Sequence, residues 1–220
     1  MSILITGAGR GIGRGLAAHY ATGGAAVIGT HRGAAPAALP GVEWQEAEMT
    51  DPASLRALAG RLGGRPLSLL VCNAGIYPDR DEGLDTGYPP DMWAQAFAIN
   101  TTGVFLTIQA LLPNLQAAGG RIAILSSQMA SDARAPGGSY IYRASKAAAL
   151  NLGRNLAVDL RPRGVAVGIY HPGWVKSDMG GAGAQIEVAE SVSGLAARFA
   201  ALSLDTTGAF LNYDGTAMPF

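Results

Sequence analysis

The sequence predicts an α/β fold, in which short apolar strands alternate with longer amphipathic helices. Apolar runs bounded by Gly, Pro or Asp recur along the chain, and most are separated by segments of helical periodicity. The run at 67–72 is apolar at almost every position, which is typical of a strand covered on both faces of a parallel sheet. We therefore expect one domain over residues 1–220, a Rossmann-type doubly wound parallel sheet with helices on both faces.

The individual elements follow from the same periodicity. Strands are expected at 2–6, 25–30, 42–47, 67–72, 121–125, 165–170 and 209–212. Helices are expected after the glycine-rich turn at 7–13 and over 52–62, 91–98, 100–118, 140–160 and 186–202. Asp51 should cap the helix at 52–62, because an aspartate followed by proline is a typical helix start.

Composition narrows the class of partner. Sixteen basic residues balance sixteen acidic ones, and no basic cluster is present, so neither nucleic acid nor an anionic membrane is an expected partner. No apolar run approaches the roughly 20 residues that a membrane helix needs. The single cysteine, Cys72, lies in an apolar run and is expected to be a buried small hydrophobe. We expect a cytoplasmic protein with a small-molecule partner.

The glycine-rich turn at 7–13 lies between a strand and a helix, the usual place of a dinucleotide phosphate site. Glycine lets the backbone approach pyrophosphate, and the amide groups at a helix start favour anionic oxygens. The spacing departs from G-x-G-x-x-G, so a glycine-rich turn without a ligand is the alternative at this point.

The end of the second strand indicates which dinucleotide is preferred. An acidic residue near this point would accept hydrogen bonds from the adenosine ribose of NAD, and none is present. Arg32 follows the strand and Arg10 lies in the glycine turn, where guanidinium groups suit a 2′-phosphate. The pattern favours NADP(H), with NAD(H) second, unless both arginines are ordinary solvated charges.

Tyr142 and Lys146 are four residues apart at the start of a predicted helix, so their side chains share one face. A nearby ammonium stabilises phenolate and is expected to lower the pKa of Tyr142, which would make the two residues a proton-transfer pair. Taken alone, the spacing also fits an ordinary solvated helix face.

A loop at 77–90 carries several acidic residues, and the chain has three histidines. The acids are interpreted as a solvated loop, because no His or Cys accompanies them and their spacing fits no calcium loop. The histidines show no metal-ligand spacing. No metal site is therefore expected. The acids concerned are Asp79, Asp81, Glu82 and Asp85.

Six motifs in order resemble the short-chain dehydrogenase/reductase family over essentially the whole chain. They are the glycine motif at 6–13, Asn-Ala-Gly at 73–75, Asn100, Ser127, the Tyr142/Lys146 pair and Pro-Gly at 172–173. The segments at 137–143, 172–181 and 208–215 resemble its C-factor-like branch of carbonyl reductases. The sequence departs from the family pattern at two places. Ser127 stands fifteen positions before Tyr142, more than is usual, which leaves Ser126 as a rival for the catalytic role. Ser177 replaces the usual threonine and keeps its hydroxyl.

The resemblance implies hydride transfer between a nicotinamide cofactor and a carbonyl carbon. It assigns Tyr142 as the general acid and Ser127 as the residue that orients the carbonyl. It also implies that Lys146 lowers the pKa of the phenol and hydrogen-bonds the nicotinamide ribose. Asn100 would hold a water that links Lys146 to solvent. Cofactor contacts are expected from Gly7, Arg10, Gly11, Ile12, Gly13, Arg32, Glu48, Met49, Asn73, Ala74, Gly75, Tyr142, Lys146, Pro172, Gly173, Val175 and Ser177.

The expected function is NADPH-dependent reduction of a small ketone or aldehyde, with alcohol oxidation as the reverse direction. The alternative is a nucleotide-binding signalling or regulatory protein of the same fold with little turnover. The resemblance also implies a homodimer or homotetramer built on the helices at 100–118 and 140–160.

Overall fold

In the computed structural model, which describes residues 1–85, 87–181 and 183–220, seven strands form one parallel sheet. The strand order is β3-β2-β1-β4-β5-β6-β7, so the order reverses between β1 and β4. In open α/β sheets, ligands bind at the carboxyl ends of the strands beside such a reversal. The strands are β1 Ser2–Ile5, β2 Ala26–His31, β3 Val42–Glu46, β4 Leu69–Cys72, β5 Arg121–Leu125, β6 Ala166–His171 and β7 Phe210–Asn212.

Helices cover both faces of this sheet, as predicted. They are α1 Gly11–Thr22, α2 Pro52–Leu62, α3 Pro90–Phe97, α4 Gly103–Ala118, α5 Tyr140–Leu160 and α6 Val188–Ala201. Successive strand residues point to opposite faces. Ile3 and Ile5 therefore pack in the cluster with α1 and α6, whereas Leu4 packs in the cluster with α2, α4 and α5. The two cores together bury the strands on both sides.

One predicted helix has an irregular start. The segment expected as a helix over 100–118 begins with a π-helical turn, Ala98–Thr102, that joins α3 to α4 without a break. Gly103 N donates to Ala98 O, which encloses one more residue than an α-helical turn. The helix predicted over 100–118 is therefore confirmed, but its π-helical start was not predicted, because side-chain periodicity carries no mark of such an insertion. Such turns often occur at functional sites, and this one contains the buried Asn100.

The joined helix over Pro90–Ala118 has 29 residues and contains an 18-residue stretch with a mean hydropathy of 1.4, enough by length and composition alone to cross a membrane. Its apolar residues Val104, Ile108, Leu111 and Leu115 lie in the core against the sheet. The apolar character of this helix is therefore explained by its packing against the sheet.

Two local predictions are confirmed. Asp51 caps α2, and its carboxylate accepts from Ala53 N at 2.8 Å and Ser54 N at 3.2 Å, with Pro52 at the first position. Cys72 is buried among the apolar residues of β4, and burial raises the pKa of its thiol to about 12.

Candidate active site

The glycine turn between β1 and α1 has a backbone conformation and a close packing that side chains would disturb. Gly7 and Gly11 have φ values of +63° and +54°, a region that glycine adopts readily. A Cβ on Gly13 would lie 2.5 Å from both Asn73 Nδ2 and Gly7 O. Within the described residues no side chain caps α1, and its first turn, which includes Ile12, carries no acid. The helix start is thus suited to an anionic group.

Asn73, at the end of β4, shapes this turn. Its Nδ2 donates to Thr6 O at 2.8 Å and to Gly7 O at 3.1 Å, and Thr6 Oγ1 accepts from the amides of Asn73 and Ala74. A Cβ on Gly7 would lie 3.0 Å from Ala74 Cα. The Asn73 side chain therefore holds the turn and the end of β4 together, a structural task that the sequence pattern does not reveal.

The ends of β2 and β3 bring together two predicted cofactor residues. Arg32 Nη1 lies 3.7 Å from Glu48 Oε2, and both side chains line a cavity of about 250 Å³. Glu48 also accepts from the amide and hydroxyl of Thr50. The Met49 side chain instead packs into the core, where its sulfur lies 3.4 Å from Thr107 Oγ1. Only the backbone of Met49 remains available to a cofactor.

The loop after β6 approaches the glycine turn from the opposite side. It includes Pro172, Gly173 with a φ of +86°, and Val175, which bridges to Ile186. Ser177 Cβ would lie 3.9 Å from a Cβ on Gly11. Arg10 Nη1 forms a 2.8 Å ion pair with Asp178 Oδ2. The glycine turn and this loop therefore lie next to each other.

Tyr142 and Lys146 lie in the first turns of α5, and both are buried. Lys146 Nζ is 5.8 Å from the centroid of the Tyr142 ring and donates to Leu125 O at 2.9 Å. Ser127 follows β5, and its hydroxyl is close enough to the phenol of Tyr142 to act toward a lower pKa of that group. The structure thus brings the three predicted residues together.

The pKa of Tyr142 corrects one expectation. Burial raises the pKa to about 12, although the hydrogen bond with Ser127 acts in the opposite direction. Burial also lowers the pKa of Lys146 to about 8. The expectation that Lys146 lowers the pKa of Tyr142 is wrong as a net direction, because desolvation of the phenolate dominates. At neutral pH the phenol keeps its proton.

Ser126 is not equivalent to Ser127. The Ser126 hydroxyl donates to Lys146 O at 2.8 Å and ties β5 to α5. Ser127 Oγ accepts from Met129 N at 3.1 Å, which leaves its hydroxyl proton available. Of the two serines, Ser127 is therefore the one placed to act on the phenol.

Asn100 connects three elements around Lys146. Its Nδ2 donates to Ile76 O at 2.9 Å and Ser145 Oγ at 3.0 Å, and its Oδ1 accepts from Ile76 N. A Cβ on Gly75 would lie 3.1 Å from Asn100 Oδ1 and 3.3 Å from Lys146 Nζ. Glycine at position 75 therefore keeps space free beside the ammonium. The water predicted at Asn100 stays a prediction.

The loop after β4 contains two residues that the sequence analysis missed. Asp79, expected to be solvated, is 0% exposed and accepts from Ile141 N at 2.8 Å and Tyr142 N at 3.2 Å. The expectation of a uniformly solvated acidic loop is therefore wrong at this position. The Tyr77 ring stacks on that of Tyr142, with the centroids 4.2 Å apart. The only sequence signal was an aromatic residue and an acid just after 73–75.

Comparison with known proteins places these features in a family. The short chain dehydrogenase family model matches residues 1–186. The chain is 38% identical over 173 residues to the C-signal of Myxococcus xanthus, a match covering 76% of this chain and 100% of that protein. It is 31% identical over 185 residues to the 3-oxoacyl-[acyl-carrier-protein] reductase FabG of Escherichia coli, covering 80% and 74% of the two chains.

Solved structures agree in the arrangement of the whole chain. An NADPH-bound carbonyl reductase from chicken fatty liver superposes with a TM-score of 0.88 at 33% identity, covering 100% of this chain and 98% of the other. The carbonyl reductase Sniffer of D. melanogaster gives 0.90 at 28% identity, covering 100% and 99%. This chain therefore belongs to the short-chain dehydrogenase/reductase family of oxidoreductases, in its C-factor-like carbonyl reductase branch.

Proposed function

We propose that the protein is an NADPH-dependent reductase of the carbonyl group of a small ketone or aldehyde. The observation that carries this proposal is a buried phenol that keeps its proton, Tyr142, next to Ser127 and Lys146 at the carboxyl ends of the central strands. Reduction of a carbonyl forms an alkoxide that must be protonated, and a protonated phenol is the group suited to that step.

The turn that contains Gly7, Gly11 and Gly13 suits a pyrophosphate, because it leads into the start of α1, which among the residues that the structure describes has no side-chain cap and no acid in its first turn. When bound, NADPH supplies a hydride. Arg32 and Arg10 are proposed for the 2′-phosphate, and the loop after β6 for the carboxamide of the nicotinamide. The similarity to an NADPH-bound carbonyl reductase supports this assignment. The carboxylates of Glu48 and Asp178 currently pair with the two arginines, so a 2′-phosphate would compete for them.

Each catalytic side chain then has one task. Ser127 Oγ donates to the carbonyl oxygen and fixes its position beside Tyr142. Tyr142 Oη delivers its proton to that oxygen as negative charge develops there. Lys146 places a positive charge beside the phenol as it becomes phenolate, which stabilises the product of the proton transfer. In the oxidation direction Tyr142 would first have to lose its proton, and the raised pKa opposes that at neutral pH.

The test is NADPH oxidation with a panel of aliphatic and aromatic aldehydes and ketones, repeated with NADH. Tyr142→Phe should lower kcat by about 10³-fold while the Kd of NADPH, from protein fluorescence, changes little. Tyr140→Phe, on the same helix but half-exposed, is the matched control and should behave as the native protein. Full activity of Tyr142→Phe would exclude the proposed acid.

The similarity to the C-signal of Myxococcus xanthus favours a second candidate, a nucleotide-binding signalling or regulatory protein with little turnover. Titration of NADPH beside the carbonyl panel separates the two. Tight binding without oxidation of any panel member would favour the regulatory function. A buried Lys146 is costly to retain in a protein that only binds, which is why we place the reductase first.

A cytoplasmic location and a homo-oligomeric state are also proposed. The exposed side chains of Phe105 on α4 and Val158 on α5 leave apolar surface on the two helices expected at the interface. Light scattering should give a dimer or tetramer mass. A monomer at micromolar concentration would remove the oligomer from the proposal.

A further inference from the structure

The start of α5 is irregular and is not capped by its own residues. Ser139 precedes the helix with φ 48° and ψ 42°, a left-handed conformation that is unfavourable for a residue with a side chain. Its side chain makes no capping bond to the helix. The amides that begin the helix, including that of Tyr142, therefore need a partner from elsewhere in the chain.

Asp79 supplies that partner from 62 residues away. Its carboxylate accepts from Ile141 N at 2.8 Å and from Tyr142 N at 3.2 and 3.3 Å. The carboxylate is fully buried, and no ion pair to it occurs in the described part of the chain. A buried carboxylate is compensated here by amide groups and by the positive end of the helix dipole. It thus acts on the backbone of Tyr142 itself.

Tyr77 acts on the side chain of Tyr142. The two rings are nearly parallel, with an interplanar angle of 22° and centroids 4.2 Å apart. The Tyr77 hydroxyl lies 2.6 Å from Ser139 Oγ, so the left-handed residue is tied to the same aromatic ring. The Arg80 guanidinium lies 5.0 Å from the centroid of the Tyr77 ring. The Tyr77 side chain is therefore held by Ser139 at its hydroxyl and by the Arg80 guanidinium over the face of its ring.

We propose that the segment 77–80 positions the phenol of Tyr142, with Asp79 holding its backbone and Tyr77 holding its ring. This inference rests on the proposed function of Tyr142 as proton donor. Neither residue is assigned contact with the reacting atoms, so both are positioning residues. Displacement of a reacting group by about 1 Å can lower a rate by about 10²-fold, so the effect should appear in turnover.

The test compares Tyr77→Leu, which removes the stack, with Tyr77→Phe, which keeps the ring and loses only the hydroxyl. Tyr77→Leu should lower kcat by about 10-fold or more with the KM for NADPH within about twofold, and Tyr77→Phe should recover most of that loss. Substrate is whichever panel carbonyl the native protein reduces fastest. Native kcat in Tyr77→Leu, or a loss confined to KM, would overturn the role of Tyr77.

Asp79→Asn keeps the shape of the side chain and removes its charge, and Asp81→Asn, at an exposed position in the same loop, is the matched control. Hydrogen exchange in the cofactor-free protein should show faster exchange at 139–146 in Asp79→Asn but not in Asp81→Asn. This readout needs no activity. Unchanged protection at these amides would overturn the capping role, even if the variant had lost activity.

A double-mutant cycle separates this inference from the proposed function. In a Tyr142→Phe background, Tyr77→Leu should change the residual rate by less than about twofold, because no phenol remains to be positioned. If Tyr142→Phe were fully active, the proposed function would fail. If Tyr142→Phe were inactive while Tyr77→Leu and Asp79→Asn had native kcat, only the positioning role would fail.

Discussion

The proposed cofactor end and the proposed carbonyl end of the site hold their positive charges in opposite ways. At the cofactor end, Arg10 and Arg32 are 79% and 71% exposed in their side chains, and each pairs with a surface carboxylate. At the carbonyl end, Lys146 is 5% exposed and donates to a backbone carbonyl. Solvent screens the first two charges and not the third. We therefore expect substitutions of these residues to have effects that increase with the burial of the charge rather than with the number of contacts.

The largest effect is expected at the buried end. Lys146→Met should lower kcat by about 10²-fold or more, because the charge that stabilises the phenolate is lost. The same change should raise the free energy of unfolding at pH 7. Burial lowers the pKa of Lys146 from 10.5 to about 8, a penalty of about 3 kcal/mol, offset by about 1 kcal/mol for the unpaired Leu125 carbonyl. Urea unfolding measures the net gain of about 2 kcal/mol.

The pH dependence gives an internal check on that charge. Because the pKa of Lys146 is lower in the folded state, the unfolded chain binds more protons above about pH 8, and native stability should rise with pH from there. Below about pH 8 the penalty is fully present. The slope is best measured between pH 8 and 9, below the usual pKa of the Cys72 thiol, which contributes the opposite sign. The Lys146→Met variant should lack this rise of stability with pH. An identical slope in both proteins would contradict the presence of a buried charge at Lys146.

The next effect concerns the backbone of the cofactor end. Gly13→Ala should destabilise the protein by about 2 kcal/mol and weaken NADPH binding, because the new Cβ would lie 2.5 Å from Asn73 Nδ2 and Gly7 O. Gly60→Ala is the control, since its Cβ would meet no atom within 4 Å and alanine favours the helix. Thermal unfolding measures the loss of stability, and NADPH titration measures the loss of affinity. Native affinity in Gly13→Ala would show that the turn tolerates a side chain.

A smaller change is expected from the exposed arginine after β2. Arg32→Asp should lower the ratio of kcat/KM for NADPH over NADH by about 10-fold, because a charge-assisted contact to the 2′-phosphate is lost and repulsion is added. Arg56→Asp, an exposed arginine of α2, should leave the ratio unchanged. A native preference for NADH, or an unchanged ratio in Arg32→Asp, would remove the assignment of Arg32.

The smallest effect is expected for the ion pair between the glycine turn and the loop after β6. Asp178→Asn should change the KM for NADPH by less than about twofold, since both charges are solvated. The difference between the variant and the native protein should vanish near 0.5 M NaCl, where screening acts over about 4 Å. An effect that persists in high salt would mean that the pair is desolvated when the cofactor is bound.

The same contrast explains what the sequence could predict. Asp51 caps the helix that directly follows it, so its role was visible in adjacent residues. Asp79 caps a helix 62 residues away, and only the folded chain shows that the two meet. The Tyr142/Lys146 pair and the glycine turn are likewise local patterns. The orientation of Met49 into the core and the stacking of Tyr77 depend on neighbours from distant elements.

Prediction from the sequence was also limited because it could not weigh burial against charge proximity. Tyr142 and Lys146 are adjacent on α5, and charge proximity alone predicted a lowered phenol pKa. Burial decides the direction instead, and the extent of burial depends on how the 77–80 segment and β5 close around the pair. A motif therefore identifies the participating groups, whereas their protonation states require the packed structure.

The π-helical turn at Ala98–Thr102 has a consequence for how this chain can vary in length. Deleting one residue there would restore a regular α-helix with conventional hydrogen bonds. Because a π-turn takes up one extra residue within about one turn, the helices on either side would keep nearly the same orientation, and Val104, Ile108 and Leu111 would still face the sheet. The side chains inside the turn would change direction instead, and Asn100 or its replacement would no longer face Ile76 and Ser145. The extra residue thus directs Asn100, and the length of the turn is expected to tolerate change less than that of the loops around it.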